Sequence, residues 1–298
     1  MNGLIGRILR MPTQNDKYNQ EILIVYGHHS NLERMSGFAE FFSRYGNVTI
    51  PDLPGFGGMD SFYKMNQKPT VDAYADYLAA FVKLKFNRKK VVIIGMSFGV
   101  PIYIRMLQKY PKLRKKVKYC VSLVGFVHHE DISLPKKFYW PMKVMAISGS
   151  GYISSLIVKK IFLRKLVIKA LYMSVASKHG KLQDAKESEL KNRIALETNL
   201  WLQNDFRTRN YTLKQIDKLD LCDIRVENKM YHISAANDIY FNPEVVSQHM
   251  QIIFEEFEMF YLSLKAHAPS VTANGDDIAK FTPPELVKLL TGQLSSNG

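Results

Sequence analysis

Short apolar runs that alternate with helical spacing constrain the fold of this chain more than any other feature. Four such runs occur in the first 124 residues, each followed by a glycine or a proline: 22–26, 47–50, 91–94 and 117–124. A strand buried on both faces has a continuous apolar sequence, and helices between such strands form right-handed crossovers. The pattern therefore predicts an α/β fold with a mostly parallel, doubly wound sheet of seven or eight strands.

The alternation stops after the fourth run and resumes near residue 226. Residues 126–219 have helical spacing without a convincing strand, whereas 226–234 and 253–262 again have the character of strands. We therefore predict an α/β core formed by residues 1–127 and 220–298, with a helical cap inserted at 128–219.

Composition places the chain among ordinary globular proteins. The 298 residues are 46% hydrophobic and 23% charged, which excludes a disordered or fibrous chain. Two cysteines, Cys120 and Cys222, are too few for a disulfide framework and favour a reducing compartment. The N-terminus lacks the apolar core of a secretory signal, and no uncharged apolar run reaches about 18 residues. We therefore expect a cytoplasmic protein without a membrane-spanning helix.

A serine lies in the turn between the third strand and the next helix. The sequence GMSFG at 95–99 follows the apolar run 91–94 and precedes helical spacing. In this context a G-x-S-x-G pattern holds the serine in a sharp, strained turn, and Gly95 and Gly99 avoid clashes with the neighbouring strand and helix. The N-terminus of the following helix also favours negative charge there. Ser97 is therefore the candidate nucleophile.

Acyl transfer by a serine also needs two backbone N–H groups that bind the oxyanion. One of them follows the nucleophile, which makes Phe98 the first candidate donor. The second comes from an earlier loop, and the sequence YGHHS at 26–30 follows the first buried strand. We expect His28 to donate through its main chain, with Gly27 allowing the backbone to approach closely.

These features resemble a serine hydrolase of the α/β-hydrolase superfamily with a helical cap. The matching motifs, in chain order, are YGHHS at 26–30, DLPGFGG at 52–58, GMSFG at 95–99, and a late acid followed by a late histidine. The family usually has a histidine before the first glycine, where this sequence has Tyr26. The resemblance implies that the segment 52–58 is a structural loop near the pocket, without a catalytic role.

The resemblance also implies a catalytic triad in the order serine, acid, histidine. The acid corresponds to Asp238, in the sequence AANDIYFNP that follows the strand 226–234. Glu130 and Asp131 are the alternative acids, because some members of the family place the acid after the preceding strand. The histidine corresponds to His267, which lies 29 residues after Asp238.

The implied chemistry is ester hydrolysis through an acyl-enzyme. His267 acts as general base toward Ser97, and Asp238 holds the imidazole in the correct tautomer. The expected substrate is a small-molecule carboxylic ester, with an apolar acyl group favoured, and no cofactor is required. An acyltransferase or a thioesterase on the same triad remains open, as does a catalytically silent binding module on the hydrolase scaffold. Epoxide hydrolases and dehalogenases of this fold carry an aspartate at the position of Ser97.

Two histidine pairs raise the question of a metal site. Adjacent residues on a strand point in opposite directions, which disfavours metal binding by His28–His29 or by His128–His129 with the acids that follow it. We therefore predict no metal site, and expect His28 and one of His128 and His129 to line the mouth of the pocket.

The basic residues of the chain are concentrated in the predicted cap. The net charge is +14, and ten Lys and Arg but no Asp or Glu lie between Lys136 and Lys181. No zinc-finger spacing or RNA-binding motif accompanies them, so a nucleic-acid partner is not expected. Two interpretations stay open, a solvated basic cap without a partner and a cap that docks peripherally on an anionic membrane or an anionic substrate. Basic residues fall all around a single helix over 153–173, so we expect two shorter helices with a bend, their apolar faces toward the pocket.

Overall fold

The computed structural model describes residues 3–15, 17–175, 187–236, 238–262 and 273–293 and contains a seven-stranded sheet. The strands are β1 (Ile8–Met11), β2 (Glu21–Val25), β3 (Asn47–Pro51), β4 (Val91–Met96), β5 (Val117–Leu123), β6 (Met230–Ala235) and β7 (Phe257–Leu262). Their order across the sheet is β1-β3-β2-β4-β5-β6-β7. Every pairing is parallel except that of β1 with β3. The predicted fold class is therefore confirmed.

The described residues also form α-helices, which connect the parallel strands. They are α1 (Ser36–Ser43), α2 (Val71–Lys85), α3 (Gly99–Lys109), α4 (Pro111–Arg114), α5 (Lys136–Gly149), α6 (Tyr152–Ile161), α7 (Lys165–Val175), α8 (Glu187–Gln203), α9 (Phe206–Ile216), α10 (Pro243–Ile253), α11 (Gly275–Phe281) and α12 (Pro284–Leu290). Helices α2 and α3 pack against each other, as do α1 and α11.

The central strands are buried because the sheet is covered on both faces. Residues 22–25 of β2 and 91–95 of β4 are all buried, which explains their continuous apolar sequence. Strand β1 was not predicted, because its sequence ILRM is short and contains Arg10. It forms an exposed antiparallel edge, where a charged residue is tolerated.

Strand β6 is shorter than the predicted run at 226–234. It begins at Met230, and Val226 forms only an isolated bridge with Phe254.

Between β5 and β6, the described residues form the five helices α5 to α9 and no strand. The expected bend is also present, since α6 ends at Ile161 and α7 begins at Lys165. None of the helices in the described ranges is long and apolar enough to cross a membrane.

The strand order reverses direction at β2, and this reversal creates the site. The chain leaves β2 to form β3 on one side and then crosses to form β4 on the other side. Loops that leave the carboxyl ends of β2 and β4 therefore diverge and leave a crevice between them. Gly27 and Ser97 lie in these two loops.

Candidate active site

Ser97 lies in the turn between β4 and α3, in a backbone conformation that serine rarely adopts. Its φ angle is +46°, in the left-handed region. The turn is held by the N–H of Ser97, which donates to the carbonyl of Leu123 at 2.9 Å, and by the N–H of Val100, which donates to the carbonyl of Ser97 at 3.0 Å. The serine is partly exposed, whereas the two residues after it are buried. The strained turn expected from GMSFG is thus observed.

The glycines around Ser97 are required by close packing. A Cβ atom on Gly99 would lie 2.0 Å from the carbonyl oxygen of Val25, and one on Gly95 would lie 2.4 Å from the ring of Tyr103. A Cβ on Gly27 would approach the Cβ of Ser97 to 3.2 Å. The loop after β2 therefore lies directly beside the serine, as the sequence predicts.

The two predicted oxyanion donors, His28 and Phe98, flank the serine. In the part of the chain that the structure describes, no protein acceptor takes the main-chain N–H of either residue. Their rings are in edge-on contact, with centroids 5.9 Å apart. Two backbone N–H groups beside one serine that lack a protein acceptor favour an anionic ligand atom there.

The His28 side chain is used to fix the loop in place. Its Nε2–H donates to the carbonyl of Arg209 at 3.0 Å, and the Thr212 hydroxyl lies 2.9 Å from the same nitrogen. Desolvation by burial, with a smaller contribution from the charge of Arg209, lowers the pKa of His28 to about 3. The imidazole is therefore neutral at physiological pH, and only the main chain of His28 is suited to act on substrate.

Helices α8 and α9, with the turn between them, are joined to the loop after β2 and to the loop 52–58. On the first loop, Asn31 donates to the side chain of Gln203 at 2.8 Å, and the ring of His29 lies 4.4 Å from that of Trp201. On the loop 52–58, the N–H of Gly57 donates to Asn204 at 2.7 Å. The region between β5 and β6 is thereby attached directly beside Ser97.

The depressed pKa of His28 predicts acid lability. Below pH 6.5 the unfolded chain binds a proton on His28. The folded chain does not bind it until the pH approaches 3, because the pKa of His28 in the folded chain is about 3. The free energy of unfolding should therefore fall by about 1 to 2 kcal/mol between pH 7 and pH 5 on account of His28.

Urea unfolding of the wild type and His28→Gln at both pH values measures this contribution, because glutamine keeps the donor but does not titrate. The variant should lose less stability on acidification. Asp52, whose pKa burial raises to about 6, acts in the opposite direction but equally in both proteins. An identical pH dependence in the two proteins would contradict the prediction.

Asp238, the predicted acid, follows β6 at the carboxyl edge of the sheet. Its Oδ1 accepts hydrogen bonds from the N–H groups of Tyr240 at 2.8 Å and Phe241 at 3.4 Å, and so closes a turn. A carboxylate accepts several hydrogen bonds, so this role is compatible with orienting a histidine. The predicted histidine, His267, lies outside the described residues.

The alternative acids Asp131 and Glu130 follow β5. Asp131 is fully buried, and its Oδ2 accepts from the N–H groups of Val127 at 2.8 Å and His128 at 2.9 Å. Its Oδ1 lies 2.6 Å from Nδ1 of His249 on α10. Both oxygens of Asp131 therefore already have partners, whereas Glu130 is largely exposed.

Known structures resemble this chain over almost its entire length. An enol-lactonase from Burkholderia xenovorans is 14% identical, with a TM-score of 0.62 over 97% of this chain and 96% of that chain. A thermophilic esterase from Thermogutta terrifontis is 14% identical, with a TM-score of 0.62 over 96% of this chain and 94% of that one. An epoxide hydrolase is 10% identical, with a TM-score of 0.65 over 98% and 97%. The chain has the α/β-hydrolase fold.

The comparisons determine the fold and leave the reaction open. No family model matches the sequence, and no curated protein matches it. At sequence identities of 10% to 14%, the similarity establishes the arrangement of strands and helices only. One α/β-hydrolase scaffold supports many different reactions. The reaction is therefore set by the residues around Ser97.

Arg209 is a residue of the site that sequence reasoning missed. Its guanidinium lies 4.7 Å from the ring centroid of Trp201, and no ion pair is present for it among the described residues. Desolvation lowers its pKa to about 10, so it stays charged at neutral pH. A desolvated cation beside the oxyanion loop favours negative charge nearby. Nothing in the local sequence of α9 distinguishes this arginine from a surface residue.

A second cluster arises after β5, where His128 and Glu130 meet His249. The Oε2 atom of Glu130 lies 3.7 Å from Nδ1 of His128 and 3.9 Å from Nε2 of His249. These atoms lie close enough together to hold a divalent cation, and Asp131 would orient His249. The pair 128–129 and the acids after it were considered from the sequence, whereas this cluster takes its third residue, His249, from α10.

The described part of the structure contains two cavities, one beside α9 and one beside the segment that follows β6. One of about 420 Å³ is bordered by Tyr63, Arg207 and Lys214. Another of about 480 Å³ is bordered by Asp238, Phe241 and Tyr261. Ser97 borders neither of them, as far as the described residues show.

Proposed function

We propose that this protein is a serine hydrolase that cleaves carboxylic esters through an acyl-enzyme on Ser97. The observation that carries the proposal is the strained turn at Ser97, with a φ of +46°. Such a turn costs free energy and is retained where it presents a side chain for reaction. The second support is the adjacent pair of N–H groups, on His28 and Phe98, that no protein acceptor takes in the described structure.

In the proposed first half-reaction, Oγ of Ser97 attacks the ester carbonyl while His267 takes its proton. The N–H groups of His28 and Phe98 bind the resulting oxyanion, and the N-terminus of α3 adds favourable electrostatics. His267 then gives the proton to the leaving alcohol, and the C–O bond breaks. The charge of Arg209 supports the same oxyanion from the side of α9.

In the second half-reaction, water replaces the alcohol. His267 takes a proton from water while the water oxygen attacks the acyl carbon. His267 then returns a proton to Oγ of Ser97, the bond between Oγ and the acyl carbon breaks, and the carboxylic acid is released. Asp238 holds the tautomer of His267 throughout and stabilises its charged form. The sequence of steps requires no cofactor.

The chemistry of similar proteins supports ester substrates over other electrophiles. An esterase and an enol-lactonase are among the similar structures, although an epoxide hydrolase is as well. A serine at the elbow favours acyl transfer, because an epoxide hydrolase of this fold needs a carboxylate nucleophile there. A thioesterase or an acyltransferase uses the same residues, and the latter differs in that an alcohol or thiol acceptor outcompetes water.

The proposal is tested by labelling the full chain with a fluorophosphonate and locating the modified residue by mass spectrometry. We expect one adduct, on Ser97, and its absence from Ser97→Ala. A chain-length series of aryl esters, assayed with and without added acceptor alcohol, then separates hydrolysis from transfer. An unlabelled Ser97 together with no ester turnover would contradict the proposal and favour a binding module.

A further inference from the structure

Exposed apolar side chains are concentrated on helices α5 to α7. Of the 23 large hydrophobic residues that are exposed in the described ranges, 14 lie between Phe138 and Met173. Single exposed hydrophobic residues are normal on a protein surface, but a concentration of this kind marks a surface that contacts something other than water.

Helix α5 is apolar on two opposite faces. Ala146 and Gly149 are buried, on the face of α5 that packs against α9. Trp140, Val144 and Ile147 follow one another at helical spacing and are each more than half exposed. Burial against the protein explains the first face and leaves the second, larger one unexplained.

Helix α6 has its small residue inside and its large apolar residues outside. Ser155 is the buried residue of this helix, whereas Ile153, Leu156 and Ile157 are 72%, 48% and 52% exposed. The expectation that the apolar faces of these helices cover the pocket is therefore wrong for α6. A helix that packs only against protein has the opposite pattern.

Helix α7 repeats this arrangement. Ile168 is buried and the hydroxyl of Tyr172 is bonded to Glu197 at 3.1 Å, which defines the inner side. Leu166 and Met173 lie on the other side and are 81% and 69% exposed. We call the following set the outer apolar face: Trp140, Val144, Ile147, Ile153, Leu156, Ile157, Ile161, Leu166, Val167 and Met173.

The charged side chains of α5, α6 and α7 are all cationic, and Lys143 among them is paired with Asp217 at 2.9 Å. Residues 136–173 contain eight Lys and Arg and no Asp or Glu. Lysine and arginine stems can extend along an apolar surface while their charged ends reach phosphate groups. Apolar side chains that point outward, with cations among them, are the pattern of helices that lie in a membrane interface.

We propose that the outer apolar face docks on the surface of an anionic lipid bilayer. Its helices would lie in the interfacial plane, with the apolar side chains inserted below the headgroups. A symmetric dimer through the same face would bring two sets of cationic side chains together, and like charges across an interface are repulsive. The charge therefore favours an anionic lipid surface over a second copy of this chain.

Vesicle co-sedimentation with the full chain tests the proposal. We expect binding to vesicles of equal parts phosphatidylcholine and phosphatidylglycerol, weaker binding to phosphatidylcholine alone, and loss of the difference at high salt, because salt screens the charge. No binding, or equal binding to both kinds of vesicle, would overturn the proposal.

Two variants separate the apolar from the electrostatic contribution. Trp140→Ser/Ile157→Ser/Leu166→Ser removes one exposed side chain from each helix, and its control, Ile5→Ser/Leu84→Ser, removes two that are each 74% exposed elsewhere. Lys159→Gln/Lys160→Gln/Lys165→Gln removes three charges, and its control is Lys90→Gln/Lys112→Gln/Lys115→Gln. Each test variant should weaken binding about tenfold or more, and each control should not.

Tryptophan fluorescence reports which surface enters the lipid. The chain has two tryptophans, and Trp140 lies on the outer apolar face while Trp201 is packed against His29 and Arg209. Lipids brominated on the acyl chain should quench the wild type. Trp140→Phe should keep vesicle binding and lose this quenching. Quenching that persists in Trp140→Phe would place a different surface in the membrane.

Two further measurements exclude the other occupants of the face. Sedimentation velocity should give a monomer in the absence of lipid. A dimer that the apolar variant abolishes would instead make the face a contact between copies. The inference does not depend on the proposed reaction, so Ser97→Ala should bind vesicles like the wild type even though its ester turnover should fall.

Discussion

Replacement of Ser97 by alanine should lower ester turnover by roughly a thousandfold or more while leaving the fold intact. The reacting oxygen is lost, and residues that act as a catalytic unit fail together when one of them is removed. The fold should survive because the turn is held by the main chain of Ser97, through its bonds with Leu123 and Val100. Alanine and serine both carry a Cβ atom and are equally disfavoured at a φ of +46°, so the substitution leaves the backbone strain unchanged.

Initial rates with an aryl ester, together with thermal unfolding of each protein, measure both parts of this prediction. Ser36→Ala, at a surface position on α1, is the matched control and should retain the wild-type rate. Turnover by Ser97→Ala above about a tenth of the wild-type rate would assign the reaction to a different residue.

The features that sequence could predict are those that follow from local spacing. The buried strands β2 and β4 and the turn at Ser97 each need a particular residue type within a few positions, so they are visible along the chain. Gly99 illustrates this, since only glycine fits where a Cβ would lie 2.0 Å from the carbonyl of Val25.

The features that sequence could not predict depend on residues that are distant along the chain. His28 and Arg209 are 181 residues apart, and their contact exists only because α9 packs over the loop after β2. The contact between Glu130 and His249 likewise joins residues that are distant along the chain, one after β5 and one on α10. Strand β1 was missed because an edge strand of four residues with an exposed arginine has no periodicity to detect.

The outer apolar face shows a further limit of sequence patterns. The hydrophobic residues of α6 and α7 were interpreted as the inner side of a cap, because amphipathic helices usually bury their apolar side. A sequence pattern indicates which side chains share a face and does not say which way that face points. Only the burial of Ser155 and Ile168 determines the direction.

Asp238→Asn should reduce ester turnover by roughly a hundredfold or more, because an amide cannot stabilise the charged form of His267 or hold its tautomer. Glu130→Gln is the matched control, since Glu130 is exposed and should be dispensable for the reaction.

Asp131→Asn needs a different interpretation, because this carboxylate is buried and bonded to the N–H groups of Val127 and His128 and to His249. Its loss should cost about 1 to 3 kcal/mol of stability, while turnover per folded molecule stays close to that of the wild type. Activity should therefore be assayed well below the unfolding midpoint of each variant. A fully folded Asp131→Asn without activity, beside an active Asp238→Asn, would move the catalytic acid from the end of β6 to the end of β5.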